Sequence, residues 1–159
     1  MTTDIHYTEK QKFSQSWLWL SILISGIVAL LYLFNNKDVG TTTLVITASS
    51  FALVILIFAL MKLETQIKND GIYIRFFPFH IKFIQYDWGS IKQLYIRKYD
   101  PIYEYGGWGI RMNIRGKGKA FNISGNIGLQ LEFLNNKKLL IGTNKPEKLS
   151  EALKKIGKL

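Results

Sequence analysis

The sequence predicts a membrane-anchored α+β protein: a transmembrane helical hairpin, then an antiparallel β-barrel or sandwich of about seven strands, capped by a C-terminal helix. Three observations predict this class. Two uncharged apolar runs lie within the first 61 residues. After them, apolar residues recur at every second position, as in strands, and near the end of the chain they recur every three or four positions, as in a helix. These features divide the chain into an N-terminal tail at 1–16, a hairpin at 17–61 and a β domain at 62–159.

The two apolar runs, 17–34 and 44–61, are each 18 residues long and contain no charge. As helices they would be roughly 27 Å long, close to the thickness of a bilayer core. Two buried helices of a soluble protein would need a larger surrounding domain than this chain provides. A cleaved signal peptide is disfavoured because no small-residue cleavage site follows the first run and a second run comes directly after it. Because neither run contains an ionisable residue, a transport path is also disfavoured.

The distribution of basic residues predicts the orientation of the hairpin. Basic residues flank both outer ends of the runs, whereas Lys37 stands alone in the connecting loop. Positive charge collects on the cytoplasmic side of membrane proteins, so we expect a multi-pass protein of the inner or cytoplasmic membrane with both termini cytoplasmic. The flanking residues are Lys10, Lys12, Lys62, Lys68 and Arg75.

Charge is concentrated after the hairpin. Residues 1–62 hold four Lys and three Asp or Glu, whereas residues 63–159 hold 17 Lys or Arg and eight Asp or Glu, a formal charge of +9. Such a domain suits an anionic leaflet or an acidic partner. The basic residues are scattered rather than arranged in a stripe, so nucleic acid is not expected. Cysteine is absent and the two histidines, His6 and His80, are far apart, so we expect no metal and no cofactor.

Alternation of apolar and polar residues predicts the strands of the β domain. Asn69-Asp70-Gly71 is a tight-turn signal, and Leu129, Leu131 and Phe133 alternate with polar residues. The predicted strands lie at 63–68, 72–77, 81–86, 91–99, 110–114, 119–124, 129–133 and 139–141.

The end of the chain has a different period. Pro146 suits a first helical turn and Gly157 suits a stop. The apolar residues between them fall at i, i+3, i+4 and i+7, and the sequence therefore predicts a helix at 146–157 that covers one opening of the β domain. These residues are Leu149, Ala152, Leu153 and Ile156.

Three segments resemble recurring stretches of one group of proteins: YDWGSI at 86–91, EYGGWGIR at 104–111 and LIGTNKP at 140–146. The chain is similar, over nearly its whole length, to small bacterial membrane proteins in which a two-helix transmembrane hairpin precedes a bacterial pleckstrin-homology (PH)-like domain. The resemblance implies a binding or scaffolding module. Phosphoinositide-binding PH domains resemble one another in a basic loop between their first two strands, and Asn69-Asp70-Gly71 has no cation of its own. Inositol-phosphate recognition is therefore disfavoured.

Two segments are candidate contact surfaces. The first begins with a glycine-rich aromatic stretch, which either touches a partner or lipid headgroups, or is a bulged hairpin whose aromatic residues only pack. It continues into a basic cluster around the 116–118 turn, which either touches anionic headgroups or an acidic partner, or is a solvated hairpin tip. The second, RFFPFH at 75–80, either touches the membrane or a partner, or it caps the core. The candidate contact residues of the first segment are Tyr103, Tyr105, Trp108, Arg111, Arg115, Lys117 and Lys119.

The hypothesis that follows is a membrane-tethered interaction module that binds a protein partner, a second copy of itself or anionic lipid headgroups. An accessory subunit of a larger membrane complex is the alternative. An enzyme is least favoured: the acidic pair considered for acid–base chemistry is Asp100 and Glu104, and no nucleophile–base pair or metal set accompanies it. No catalytic residue is therefore assigned.

Overall fold

A computed structural model of the chain describes residues 4–36, 39–113 and 118–159. The chain forms two compact units. The hairpin unit is Phe13–Met61, and the β unit combines Met1–Lys12 with Lys62–Leu159. The hairpin is thus inserted into the β unit along the chain.

The hairpin unit consists of α1 (Ser16–Asn35) and α2 (Thr41–Leu60), each of 20 residues. Both are long and apolar enough to cross a membrane, with mean hydropathies of 2.2 and 2.5, as predicted at 17–34 and 44–61. Only 6% and 0% of their residues are buried, so their apolar side chains are not covered by protein as those of a core helix would be. The small residue Gly26 lets α1 approach the Phe51 ring of α2: a Cβ there would lie 3.2 Å from that ring.

The first sheet of the β unit contains β1 (Ile5–Lys12), β2 (Lys62–Lys68), β3 (Gly71–Phe77) and β4 (Ile84–Asp87), in that order. All neighbouring pairs are antiparallel. The predicted Asn69-Asp70-Gly71 turn joins β2 to β3.

Strand β1 differs from the tail predicted at 1–16. It pairs with β2 along its whole length, from Ile5 opposite Lys68 to Lys12 opposite Lys62. Alternate residues of β1 are buried, but the pattern was hidden in the sequence because the inward positions are mainly polar. They are Tyr7, Glu9 and Gln11.

The second sheet contains β5 (Ile91–Lys98), β6 (Gly109–Asn113), β7 (Gly118–Asn122), β8 (Ile127–Phe133) and β9 (Lys138–Gly142). Its strand order is β5-β8-β9-β7-β6, and the β7–β9 pair is parallel while the others are antiparallel.

The arrangement is two sheets and not a closed barrel, which corrects one of the two predicted architectures. The described residues form nine strands in a four-stranded and a five-stranded sheet, against about seven predicted in an all-antiparallel arrangement. The sheets contact each other through aromatic rings. The ring centres of Phe76 in β3 and Phe121 in β7 are 6.4 Å apart, and those of Tyr86 in β4 and Phe133 in β8 are 5.5 Å apart.

The predicted C-terminal helix is confirmed as α4 (Pro146–Lys155). Of its predicted apolar face, Leu149, Ala152 and Leu153 are buried, and each of the two leucines contributes up to about 3 kcal/mol. The helix ends two residues earlier than predicted, so Ile156 follows it and is half-buried. Lys154 and Lys155 lie in the last turn, where positive charge favours the helix dipole.

Candidate functional site

The glycine-rich aromatic segment begins with a short helix, α3 (Pro101–Tyr105). Asp100 caps it: one carboxylate oxygen accepts hydrogen bonds from the backbone NH groups of Ile102 (2.9 Å) and Tyr103 (2.8 Å). Pro101 occupies the first turn, and Gly106, at φ +72°, ends the helix in the left-handed conformation that glycine adopts without strain. Asp100 therefore has a structural role.

Arg97 of β5 holds this helix against the sheet. Its guanidinium donates to both oxygens of Glu104, at 3.1 and 2.9 Å, and to the Gln130 side-chain oxygen at 3.0 Å. Burial alone would lower the pKa of Arg97, but the Glu104 carboxylate outweighs burial and raises it. A two-pronged pair of this kind fixes both position and angle. Glu104, like Asp100, is thus used in holding the segment.

A buried amide joins the segment to β7. The Asn122 side chain donates to the Tyr99 hydroxyl at 3.1 Å and accepts from the Gly109 backbone NH at 2.9 Å. Tyr99 and Tyr105 pack edge to face, with ring centres 6.1 Å apart, and burial raises the pKa of both hydroxyls. Tyr105, only 5% exposed, is therefore part of the core.

Trp108 and Arg111 close the segment. The indole NH of Trp108 donates to the Gly125 carbonyl at 3.1 Å, and the Arg111 Nε donates to the Trp108 carbonyl at 2.9 Å. Trp108 is half-buried, whereas Arg111 is exposed.

A second polar network joins β1 to the turn between β9 and α4. The Glu9 carboxylate accepts hydrogen bonds from the Tyr7 hydroxyl (2.6 Å), the Thr143 hydroxyl (2.7 Å) and the Asn144 backbone NH (2.8 Å). Glu9 is only 3% exposed, and the pKa of Tyr7 is raised, first by burial and then by its bond to Glu9. Gln11 adds a bond to the Gly142 carbonyl at 2.7 Å.

The two networks lie side by side on the β unit. The Asn144 side chain, next to the Glu9 network, donates to the Ser124 hydroxyl at 2.7 Å, one residue from the Gly125 that accepts from Trp108. The stretches at 104–111 and 140–146, which carried the resemblance, therefore meet around residues 122–125. This region is a structural junction, and sequence reasoning missed the contribution of β1 to it.

The structure brings together some of the predicted contact residues. Tyr103 is 79% exposed beside Ile102, which is 67% exposed, and Arg111 is also accessible. Lys119 lies opposite Met112 on the β6–β7 ladder, one position beyond Arg111. Tyr105 and Trp108 face structural partners instead, and the predicted contacts Arg115 and Lys117 lie outside the described residues.

Two cavities adjoin these residues. One, of about 450 Å³, lies between α3 and Asn126 and includes Trp108 in its lining. The other, of about 700 Å³, is lined by three lysines, by the aromatic residues Tyr86 and Phe133 and by one acidic residue, Asp87; the lysines are Lys119, Lys137 and Lys138. Aromatic rings combined with lysines suit anionic groups better than cations. Among the described residues, no three acidic or histidine side chains come together to hold a metal ion.

Comparison with known proteins adds no family to this description. No protein-family model, curated protein or solved structure matches the chain.

Proposed function

We propose that this chain is a membrane-tethered interaction module: the hairpin crosses the membrane, and the β unit binds anionic lipid headgroups at the cytoplasmic surface. The proposal rests on one observation: a hairpin without net charge is inserted in the chain between β1 and β2, which pair with each other in a basic unit. Residues 13–61 hold one Lys and one Asp, so the whole formal charge of +10 belongs to the β unit. Each Lys or Arg near an anionic leaflet contributes about 1 kcal/mol.

Membrane insertion is supported by the length, hydropathy and exposure of α1 and α2. A cleaved signal sequence fits poorly because β1 precedes α1. Removing the chain up to the end of α1 would take away a strand paired with β2, together with the buried Tyr7, Glu9 and Gln11.

The PH-like assignment of the β unit belongs to the same proposal. A four-stranded antiparallel meander, a second sheet and a C-terminal helix agree with the resemblance, while the parallel β7–β9 pair departs from it. The connection between the first two strands is the hairpin itself, and the next connection is Asn69-Asp70. Neither provides a basic loop for an inositol phosphate, so we propose recognition of surface charge instead.

The proposal includes no reaction. Asp100 caps α3 and Glu104 pairs with Arg97, so the one acidic pair that suggested acid–base chemistry is already engaged in structural contacts. Anchoring the β unit to the membrane helps binding by itself, because tethering raises the effective concentration of a neighbouring partner to the millimolar range.

An accessory subunit of a membrane complex, or a homo-oligomer, is the second candidate. The observation that favours it is the exposed pair Ile102 and Tyr103 on α3, an arrangement typical of a protein contact. Purification in mild detergent distinguishes the candidates: a stoichiometric partner or a defined oligomer supports this one, and a lone monomer supports the first.

The lipid proposal is tested with the full-length chain in nanodiscs. Amide hydrogen exchange of the β unit is compared in neutral and anionic nanodiscs, each at low and high salt. We expect extra protection within the β unit in anionic discs, lost at high salt because screening weakens surface charge interactions. Equal exchange in both lipids would contradict the proposal.

A further inference from the structure

The β3–β4 loop, residues 78–83, leaves its sheet at the end where the chain enters and leaves the hairpin. Lys12 is paired with Lys62, and Lys62 is paired with Phe77, so the last residue of β1, the first of β2 and the last of β3 form one row. Neighbouring strands in such a row are about 5 Å apart.

The chain between α2 and this row is short. Met61 alone separates Leu60, the last residue of α2, from Lys62. Two peptide steps reach about 7 Å at full extension, so Lys62 stays within that distance of the end of α2, and Lys12 and Phe77 are one strand spacing of about 5 Å from Lys62. The chain connection therefore limits how far the start of the loop can lie from the membrane layer that surrounds the end of α2.

The loop exposes two large apolar side chains. Phe79 is 62% exposed and Ile81 is 76% exposed. These values match those of apolar side chains along the candidate spans, such as Leu23 at 53% and Phe34 at 72%. Such exposure in a loop indicates an interaction surface when it adjoins another apolar phase.

The loop is held in this form by the β unit. The His80 backbone NH donates to the Phe76 carbonyl at 2.8 Å, and the Arg75 guanidinium lies 4.6 Å from the Phe83 ring. The His80 ring also packs on Phe121, with centroids 5.6 Å apart. Since the neighbours Phe76 and Phe121 are fully buried, the outward direction of Phe79 and Ile81 is set by core contacts.

Lysines lie close by along the chain and the sheet: Lys82 follows Ile81, and Lys12 and Lys62 share the row of Phe77. Lys12 and Lys82 are exposed and Lys62 is half-buried. The carboxylate beside Lys62, Glu64, is itself buried and shared with Arg75. Exposed apolar side chains with lysines nearby match the two layers of a membrane surface, acyl chains below and anionic headgroups above.

We propose that Phe79 and Ile81 insert at the boundary between the headgroups and the acyl chains of the bilayer spanned by the hairpin, with Lys12, Lys62 and Lys82 against its anionic headgroups. This docking surface rests on the proposed function and adds a site to it. It fixes which end of the four-stranded sheet faces the lipid, and it leaves the other end, at the Asn69-Asp70 turn, in water.

The test uses the cysteine-free full-length chain in nanodiscs. A fluorescent label is placed on Ile81→Cys, on Phe79→Cys as a second site, and on Asn69→Cys as the control. Asn69 is exposed at the opposite end of the β2–β3 ladder, roughly 20 Å away along a seven-residue strand. Quenching by lipids that carry a quencher near the headgroup is compared with quenching by aqueous iodide.

We expect lipid quenching at positions 79 and 81 to exceed that at 69 several-fold, with the opposite order for iodide. Equal lipid quenching at 81 and 69 would overturn the docking surface, even if anionic discs still protect other parts of the β unit, which would leave the proposed function standing. A label at 81 shielded from both quenchers would also overturn it, because protein would then cover the loop.

Discussion

The carboxylate of Glu9 should determine whether β1 stays attached to the β unit. The substitution Glu9→Ala leaves three donors without their acceptor: the hydroxyls of Tyr7 and Thr143 and the backbone NH of Asn144. Each lost hydrogen bond costs about 1 kcal/mol, so we expect the free energy of unfolding to fall by about 3 kcal/mol. The site is only 3% exposed, and water does not readily replace the lost acceptor.

Hydrogen exchange of the full-length chain in detergent measures this loss directly. A fall of about 3 kcal/mol speeds exchange of the most protected amides of β1 and β2 by about 100-fold. Thr8→Ala is the matched control, because Thr8 is exposed on the same strand and a surface change costs less than about 0.5 kcal/mol. The reasoning is refuted if the Glu9 and Thr8 variants exchange alike.

Three further outcomes are expected from the same contacts. Arg97→Lys should speed amide exchange in residues 99–108, because lysine cannot donate two parallel bonds to Glu104; unchanged exchange would show that the pair does not hold α3. Gly106→Ala should lower stability by about 1 kcal/mol, since φ is +72°, whereas Gly89→Ala, with no atom near the added Cβ, should not; equal thermal shifts would count against the assignment. The free energy of unfolding should fall at acid pH because of Glu64: burial favours a higher pKa for its carboxyl group, but hydrogen bonds from Arg75 and Lys62 outweigh burial and lower the pKa from its ordinary value of 4.5. That contribution is present above about pH 4.5 and is lost as pH falls through the lowered pKa, so Glu64→Gln should flatten the acid end of the unfolding profile, and an unchanged profile would contradict this.

The sequence predicted those elements whose signal is apolar and local. Two uncharged runs gave α1 and α2 to within three residues, and the alternation at 129–133 gave β8. The helical spacing near the end indicated α4, in which three of the four predicted apolar positions, Leu149, Ala152 and Leu153, are buried. In α4 the buried side chains are themselves apolar, so periodicity and burial coincide, whereas α1 and α2 were indicated by the length of their uncharged runs.

Strand β1 was missed because its buried face is polar. Two of its three inward residues are Glu9 and Gln11, whose partners outside β1 lie more than 130 residues away in the chain. No local pattern can reveal such partners. The parallel β7–β9 pair was missed for a related reason, since pairing between strands distant in sequence is set by the whole sheet rather than by a turn.

The glycine-rich segment carried a signal that was not used. Asp100-Pro101 followed by Gly106 has the cap, first-turn proline and terminal glycine of a short helix, which is what α3 is. The residue pattern alone is compatible both with contact to a partner or lipid and with packing inside the β unit. Tyr105 and Trp108 have structural partners, whereas Tyr103 and Arg111 stay accessible for contact.

Thiol labelling of intact cells tests the central claim, that a membrane-crossing hairpin is inserted between two strands of one β unit. Single cysteines replace Thr8 in β1, Lys37 between the helices and Lys145 before α4, in a chain with no other cysteine. An impermeant reagent should label position 37 in intact cells and positions 8 and 145 only after lysis. Labelling that places residues 8 and 145 on opposite sides of the membrane would contradict the account, because the two could not then belong to one folded unit.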